Sequence, residues 1–211
     1  MNLESIVYVV DDDQAMVESL SWMIESVGLK VKTFIRAQDF LDVYKPEQPG
    51  CLLLDVRMPG MSGPELQTKL NEITSTVLPI IFISGHGDVP LAVRVMKAGA
   101  TDFLTKPFND QILLESINKA LRQDKLNREK RQVNAQAEAK FALLSPREAQ
   151  VLQGIVAGKQ NKVISAELNI SLKTVEAHRA SVMKKMAVKS VPELVKLVLN
   201  NNSVQEVESE S

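Results

Sequence analysis

The sequence predicts an α/β doubly wound five-stranded parallel sheet, joined by a helical linker to a small all-α domain of four helices. Three observations predict it. Over the first 120 residues, short apolar runs alternate five times with stretches whose apolar residues recur at helical spacing, as serial β-α units do. The apolar runs are continuous rather than alternating, which marks strands covered on both faces. Beyond residue 140 the strand-like runs cease, and two Ser-x-x-Glu signals open helical patterns instead.

Ile6–Val10 is the first strand. Gln14–Val27 carries Met16, Val17, Leu20, Met23, Ile24 and Val27 at helical spacing and stops at Gly28. Val31–Phe34 is the second strand, and Phe40–Tyr44 sits in the second helix. Cys51–Asp55 is the third strand, Pro64–Asn71 a helix, Ile80–Ser84 the fourth strand, and Val89–Lys97 a helix ended by Gly99. A short strand over Phe103–Thr105 precedes a helix from about Asn109. Residues 119–140 hold strong helix formers and neither Gly nor Pro, so the fifth helix runs on into an exposed linker. Leu114, Ile117, Leu121 and Leu126 could seam against a second copy; a solvated helix with no partner is the alternative.

The second module opens at Ser145-Pro146-Arg147-Glu148, a capping box with proline at the first helical position. That helix stops at Gly158, a second spans Asn161–Leu168, Asn169-Ile170-Ser171 turns, and a third covers Leu172 to Met186. Ser190-Val191-Pro192-Glu193 is a second capping box, opening a helix to about Asn200. The expected organisation is 1–120, a linker over 121–140, a helical domain over 141–203, and an acidic, disordered tail over 204–211.

Composition narrows the class. At 211 residues and 45% hydrophobic, the chain can bury one large core or two smaller ones. No apolar run approaches the roughly 20 residues of a membrane span. Met1-Asn2-Leu3-Glu4 lacks the basic-then-apolar pattern of a signal peptide. The single cysteine, Cys51, excludes an internal disulfide, reads as a small buried hydrophobe and fits a reducing cytoplasm. The net charge of −1 hides an asymmetry. Residues 1–120 carry 10 Lys and Arg against 16 Asp and Glu, whereas residues 141–203 carry 9 against 4. An acidic first half and a basic second half imply different partners, the second polyanionic.

Chemistry gathers at the strand ends. Asp11-Asp12 follow the first strand, Asp55 closes the third, Ser84 closes the fourth, and Lys106 follows the fifth. In an open parallel sheet, ligands bind outside the carboxyl ends of the strands. An aspartate after a strand is often only a turn former or helix cap, and Asp13 is read that way. Three acids converging with a hydroxyl and a lysine are different. The carboxylates repel one another unless a cation intervenes, and Mg²⁺, hard and oxygen-loving, suits the place. A carboxylate can attack a phosphoryl group while the metal neutralises the transferring oxygens. His86, in a Gly-flanked loop, stays outside this chemistry. Trp22, Met16, Met23 and Met96 read as core or helix-face residues.

The first 120 residues resemble the receiver domain of two-component response regulators, a flavodoxin-like fold. Asp11-Asp12, Asp55 with Met58-Pro59-Gly60, Ser84-Gly85-His86-Gly87-Asp88-Val89-Pro90, Lys97-Ala98-Gly99-Ala100-Thr101-Asp102-Phe103 and Lys106-Pro107-Phe108 carry the likeness. It implies that Asp55 is a phosphoacceptor fed by a histidine kinase. It implies Mg²⁺ ligation by Asp12, Asp55 and the Arg57 carbonyl, with Asp11 acting through water. Ser84 and Phe103 become the switch pair, Lys106 the phosphate-sensing lysine, and the Lys106-Pro107 bond is expected cis. Serine at 84 replaces the threonine often found there, and Phe103 drops the hydroxyl of the more common tyrosine.

In the second module, two short helices around Asn169-Ile170-Ser171 form a helix-turn-helix pattern, which many small bundles also show. Lys173, Thr174, Glu176, His178, Arg179, Lys184 and Lys185 lie on the second of these helices, with Val175, Val182 and Met186 facing inward. Basic side chains there would neutralise phosphates, and residues near the helix start would meet base edges; a solvated charged face is the alternative. Leu144 to Glu148, Gly158 to Lys162, Leu168 to Ser171, Thr174 to Arg179 and Lys184-Lys185-Met186 look like a LuxR-type DNA-binding domain, and the whole resembles the FixJ-like regulators. Glu176 stands where other subgroups have a basic residue, so base preference does not transfer.

The resemblance implies a cytoplasmic regulator that binds double-stranded promoter DNA, pairs as a homodimer when phosphorylated, and has RNA polymerase as a candidate partner. It would be no enzyme beyond its own phosphorylation and dephosphorylation at Asp55. An aspartate-nucleophile phosphohydrolase is a poorer reading, because Arg57 occupies the place of that class's usual second acid and the basic module is left unexplained. An RNA-binding antiterminator or a phosphorylation-independent scaffold fits neither the helix pair nor the complete acid-serine-lysine set.

Overall fold

The computed structural model describes residues 4–73, 78–85 and 89–199. His86 and the 204–211 tail lie outside them. The chain divides into two compact units, Met1–Arg128 and Glu129–Ser211. No helix among the described residues is long and apolar enough to cross a membrane.

In the first unit, five strands alternate with helices: β1 (Ile6–Val10), α1 (Gln14–Ser26), β2 (Lys30–Phe34), α2 (Ala37–Val43), β3 (Gly50–Asp55), α3 (Gly63–Ile73), β4 (Ile80–Ser84), α4 (Val89–Lys97), β5 (Asp102–Thr105) and α5 (Asp110–Ala142). All four pairings are parallel and the strand order is β2-β1-β3-β4-β5, the doubly wound sheet the sequence predicts. The helix stops expected at Gly28 and Gly99 fall just past the ends of α1 and α4. Asp13 caps α1, accepting from the amides of Ala15 and Met16.

Side chains alternate across each strand and so build two cores. Tyr8, Val10, Leu52, Leu54, Ile80 and Phe82 face Phe40, Leu66, Leu70 and Val95 from α2, α3 and α4. Val7, Val9, Cys51, Leu53, Ile81 and Ile83 face Val17, Leu20 and Ile24 from α1 and Leu113, Ile117 and Ala120 from α5. Each fully buried side chain of this size stabilises the fold by about 1.5–3 kcal/mol relative to exposure. Every residue of β3 and β4 is buried, whereas the edge strands β2 and β5 are half-open. Continuous burial on both faces, inferred for all the strands, therefore holds for the central ones.

Of core and helix face, Trp22 takes the helix face: it stands 81% exposed on α1. One side-chain expectation is corrected: the seam along the fifth helix is not available. Ile117 is fully buried and Leu114 and Leu121 pack on the α1-side core, which leaves only Leu126 of that set exposed.

α5 is one helix of 33 residues, continuous through the segment read as a linker. It is not a bare solvated rod there, because Asp124 is buried and Arg128 is bonded to the 46–48 loop. In the second unit, Phe141 of the same helix packs on a core of Val151, Leu152, Ile155, Ile164, Val175, Val182, Met186 and Leu194. These come from α6 (Pro146–Val156), α7 (Asn161–Leu168), α8 (Leu172–Met186) and a helical segment over 191–199, which we call α9. The Ser145–Glu148 capping box is complete. The second box is half-made: the Glu193 amide donates to Ser190 Oγ, but the Glu193 carboxylate accepts from the Lys189 amide instead.

Candidate phosphoacceptor site and nucleic-acid interface

The register of the sheet sets the site. Val10 pairs with Leu54, so β1 and β3 finish together, and the next residues are Asp11 and Asp55. The strand order reverses across this pair, which opens the crevice where doubly wound sheets bind ligands. Asp11 and Asp55 are both buried, while Asp12 is exposed beside them. On the far side, Ser84 pairs with Thr105, and the Lys106 amide donates to the Ser84 carbonyl at 2.7 Å. That bond delivers the lysine to the acids. Its Nζ donates to Asp11 Oδ2 at 2.7 Å and to Asp55 Oδ1 at 2.8 Å. Burial alone would lower the Lys106 pKa, but the bonds and charges of Asp11 and Asp55 outweigh it and raise it above the ordinary value. The lysine is therefore a fixed ammonium between two carboxylates that would otherwise repel.

The backbone after β3 is shaped around Asp55. Its Oδ2 accepts from the Arg57 amide at 2.7 Å, and Asp11 Oδ1 accepts from the Asp13 amide at 2.9 Å. Gly63, at the start of α3, donates its amide to the Val56 carbonyl. A Cβ at Gly63 would collide with the Asp55 carbonyl, so only glycine lets α3 begin this close to the acid. Ser84 is buried at the end of β4, and Phe103 is half-buried against the α2–α4 core. The Lys106-Pro107 bond is cis, as expected. Asp11, Asp55, Ser84 and Lys106 are thus brought to one place, with Asp12 and the exposed Arg57 on its rim.

The donors fit a hard cation. Among the described residues no three His, Cys, Asp or Glu side chains form a ready-made metal cluster. Asp11 and Asp55 already share one cation, the Lys106 ammonium, and their carboxylates offer oxygen ligands. Few carboxylates, a carbonyl and water are the ligand set Mg²⁺ accepts, since it sheds its waters reluctantly.

In the second unit, α7 ends at Asn169, which takes the left-handed conformation. Ser165 Oγ donates to the Ile170 carbonyl at 2.6 Å and pins the turn. Ser171 caps α8, accepting from the Thr174 amide at 3.1 Å. Val175, Val182 and Met186 are buried, as the periodicity predicts. Lys173, Glu176 and Lys184 are exposed, and Thr174, His178 and Arg179 are half-exposed. The α8 surface thus offers cations and hydrogen-bonding groups along one helix.

Lys185 differs from the other cations of α8 in having a partner within the unit. Its ammonium turns back to α6, donating to Glu148 Oε2 at 2.7 Å and to the Leu143 carbonyl at 3.0 Å. An ammonium held this way already has a counter-charge, with which a DNA phosphate would have to compete. The sequence reading missed the cluster that captures it. Glu148 is buried; it accepts from the Ser145 amide at 2.7 Å and from Ser181 Oγ at 2.5 Å. The Lys185 bond first, then those of Ser181 and Ser145, hold the Glu148 carboxyl down at about 2. The capping box gave Glu148 a reason to exist, and nothing in the spacing disclosed its further contacts with α8.

The response regulator receiver domain family matches residues 7–118, and the family described as bacterial regulatory proteins, luxR family, matches residues 142–198. Response regulator protein TmoT of Ectopseudomonas mendocina is 48% identical over 92% of this chain and 88% of its own length. Transcriptional regulatory protein FixJ of Bradyrhizobium diazoefficiens is 45% identical over 94% of this chain and 97% of its own. Among solved structures, the response regulator StyR is 48% identical, with a TM-score of 0.84 over 92% of this chain and 98% of that one. These similarities run the length of both units, and the chain belongs to the response regulators that couple a receiver domain to a LuxR-family DNA-binding domain and regulate transcription.

Proposed function

We propose that Asp55 accepts a phosphoryl group from a histidine kinase and that its occupancy controls binding of α8 to promoter DNA. The observation carrying this reading is the bridge from Lys106 to Asp11 and Asp55 at adjacent strand ends. An Asp55 carboxylate oxygen attacks phosphorus, the phosphorus–nitrogen bond to the donor histidine breaks, and that imidazole leaves with the electron pair. Lys106 exchanges its bond to Asp55 for one to a phosphoryl oxygen, and Ser84 donates its hydroxyl to another. Asp12, Asp55 and the Arg57 carbonyl would hold Mg²⁺, Asp11 would assist through a water, and the metal would supply charge neutralisation on the transferring oxygens. Ser84 and Phe103 then move inward as a switch pair and bias a two-state receiver. The sheet domain is the receiver, the α6–α9 bundle is the DNA reader, and two readers meet paired half-sites as a homodimer. RNA polymerase and chromosomal DNA as partners place the protein in the cytoplasm.

DNA affinity measured with and without a small phosphodonor tests this directly. Donor plus Mg²⁺ is expected to label Asp55 and tighten promoter binding, and a chelator to abolish both. Labelling at full rate in the chelator would sink the metal assignment, and labelling without any change in DNA binding would sink the coupling.

A second expectation separates base readers from phosphate anchors on α8. Arg179→Ala should cost about 1–3 kcal/mol on a cognate duplex and less on a scrambled one. Lys184→Ala should weaken both duplexes alike and reduce the salt slope by about one. Binding curves at several salt concentrations distinguish the two. Wild-type affinity for both variants would mean that α8 does not face DNA.

A further inference from the structure

At the end of β3 away from Asp55 lies a second charged cluster that the phosphoacceptor chemistry does not use. Asp124, on α5, is only 1% exposed. Its Oδ2 accepts from the Gly50 amide at 2.9 Å and from Arg128 Nε at 2.7 Å. Arg128 is four residues on, the spacing that stacks an acid and a base on one helix face. Its Nη1 donates to the carbonyls of Pro46 and Glu47 at 2.9 and 3.0 Å, and its Nη2 to that of Gln48 at 2.9 Å. One guanidinium therefore fastens α5 to three consecutive carbonyls of the loop leading into β3. Gly50 fits there because a Cβ would run into the Ile6 carbonyl. Asp124 Oδ1 is buried without a hydrogen-bond partner, so this carboxylate leans on Arg128 and the Gly50 amide.

Gly50 is the first residue of β3 and Asp55 is the last. Lys106 lies four residues before α5 begins. The β3 strand and the β5–α5 segment are thus tied at both ends, by Lys106–Asp55 at one and by Asp124–Gly50 at the other. Between them, Ser116 Oγ donates to Asp102 Oδ2 at 2.7 Å, so α5 follows β5. The break between the two compact units falls immediately after Arg128, inside the same helix.

We propose that the Asp124–Arg128 clasp is the pivot through which α5 carries the receiver's state to the DNA-binding unit. The proposal rests on the phosphoacceptor reading above. Phosphorylation draws Lys106 from Asp55 and loosens one tie. The clasp holds the other, so the helix tilts about Arg128 rather than sliding along the sheet. From Asp110 to Arg128 the helix runs about 27 Å, enough for a small shift near Lys106 to become a change of direction where α5 leaves the receiver. Without the clasp, the 119–128 stretch of the helix would loosen from the loop leading into β3 and the shift would dissipate there.

Arg128→Lys is the informative variant. Lysine keeps a cation for Asp124 but cannot span three carbonyls as the planar fork does. Asp55 labelling by a small phosphodonor should stay within about twofold of wild type, since Arg128 touches nothing at the acid site. Amide exchange over 119–128 and 44–50 should quicken in the full chain. The gain in DNA affinity on phosphorylation, of order 5–150-fold for coupled sites, should fall towards onefold. Arg128→Ala should do the same more severely; if it fails to fold, Arg128→Lys alone decides. Faster exchange with a full phosphorylation gain in Arg128→Lys would overturn the pivot, and unchanged exchange would overturn the clasp itself. A wild-type protein that is labelled without any DNA gain would remove the parent reading, and the pivot with it.

Discussion

Asp55→Asn is expected to reduce labelling by a small phosphodonor to background, at least about a hundredfold below wild type, while the receiver stays folded. The size of the effect follows from chemistry rather than packing. An amide oxygen is a poor nucleophile towards phosphorus, so the oxygen–phosphorus bond does not form at a useful rate. The same oxygen can still accept from Lys106 Nζ or from the Arg57 amide, the two bonds Asp55 makes now. Removing the charge also relieves repulsion with Asp11, which keeps its own bond to Lys106. Melting is therefore expected within a few degrees of wild type. Labelling followed by hydroxylamine treatment, alongside a thermal melt, checks both parts. Undiminished hydroxylamine-labile labelling in the variant would place the acceptor elsewhere in the receiver.

Much of this was legible because strand ends are legible. A continuous apolar run followed by an acid marks both a buried strand and its carboxyl terminus, and the parallel register then forces Asp11 beside Asp55. Lys106 could be placed for the same reason, since β5 must lie next to β4 in a right-handed winding. What pattern could not supply were contacts between residues far apart in sequence whose types are common on any helix surface. Asp124 and Arg128 sit in a run of charged residues that reads as solvated, and only the fold reveals a loop carbonyl row within reach of the guanidinium. Trp22 could be placed only as core or helix face from the sequence. Bulk and apolarity argue for burial, but its position on α1 lies off the Val17–Leu20–Ile24 stripe that meets the sheet, and the stripe wins over composition. The contact made by Lys185 was not foreseen, because a basic residue near the end of a recognition helix normally meets solvent or phosphate. Its partner, Glu148, lies 37 positions away.

That pairing carries the other large effect expected. Glu148→Gln should lower the melting midpoint of the DNA-binding unit by about 5–10 °C, leave the receiver transition in place, and weaken DNA binding. Glu148 is the point at which α6 holds α8: one carboxylate oxygen takes the Ser181 hydroxyl, the other takes the Ser145 amide and the Lys185 ammonium. Glutamine retains one acceptor oxygen and presents an NH₂ where Lys185 or Ser181 now donates, so one donor meets another and a cation loses its counter-charge. The acid dependence follows with a definite sign. The folded carboxyl titrates at about 2, below its ordinary 4.5. Its contribution is therefore fully present above pH 4.5 and is lost as pH falls from there towards 2. In Glu148→Gln that loss on acidification should be much smaller, because the group no longer titrates. Lys185→Ala discriminates most sharply between the two roles considered for this lysine. A phosphate anchor would weaken DNA binding and leave the melt unchanged; a partner of Glu148 would lower the melt and shift the acid limb of stability upward. Thermal melts of both variants and the wild-type full chain between pH 2 and 7 are the measurement, and a Lys185→Ala melt identical to wild type would return Lys185 to the DNA face.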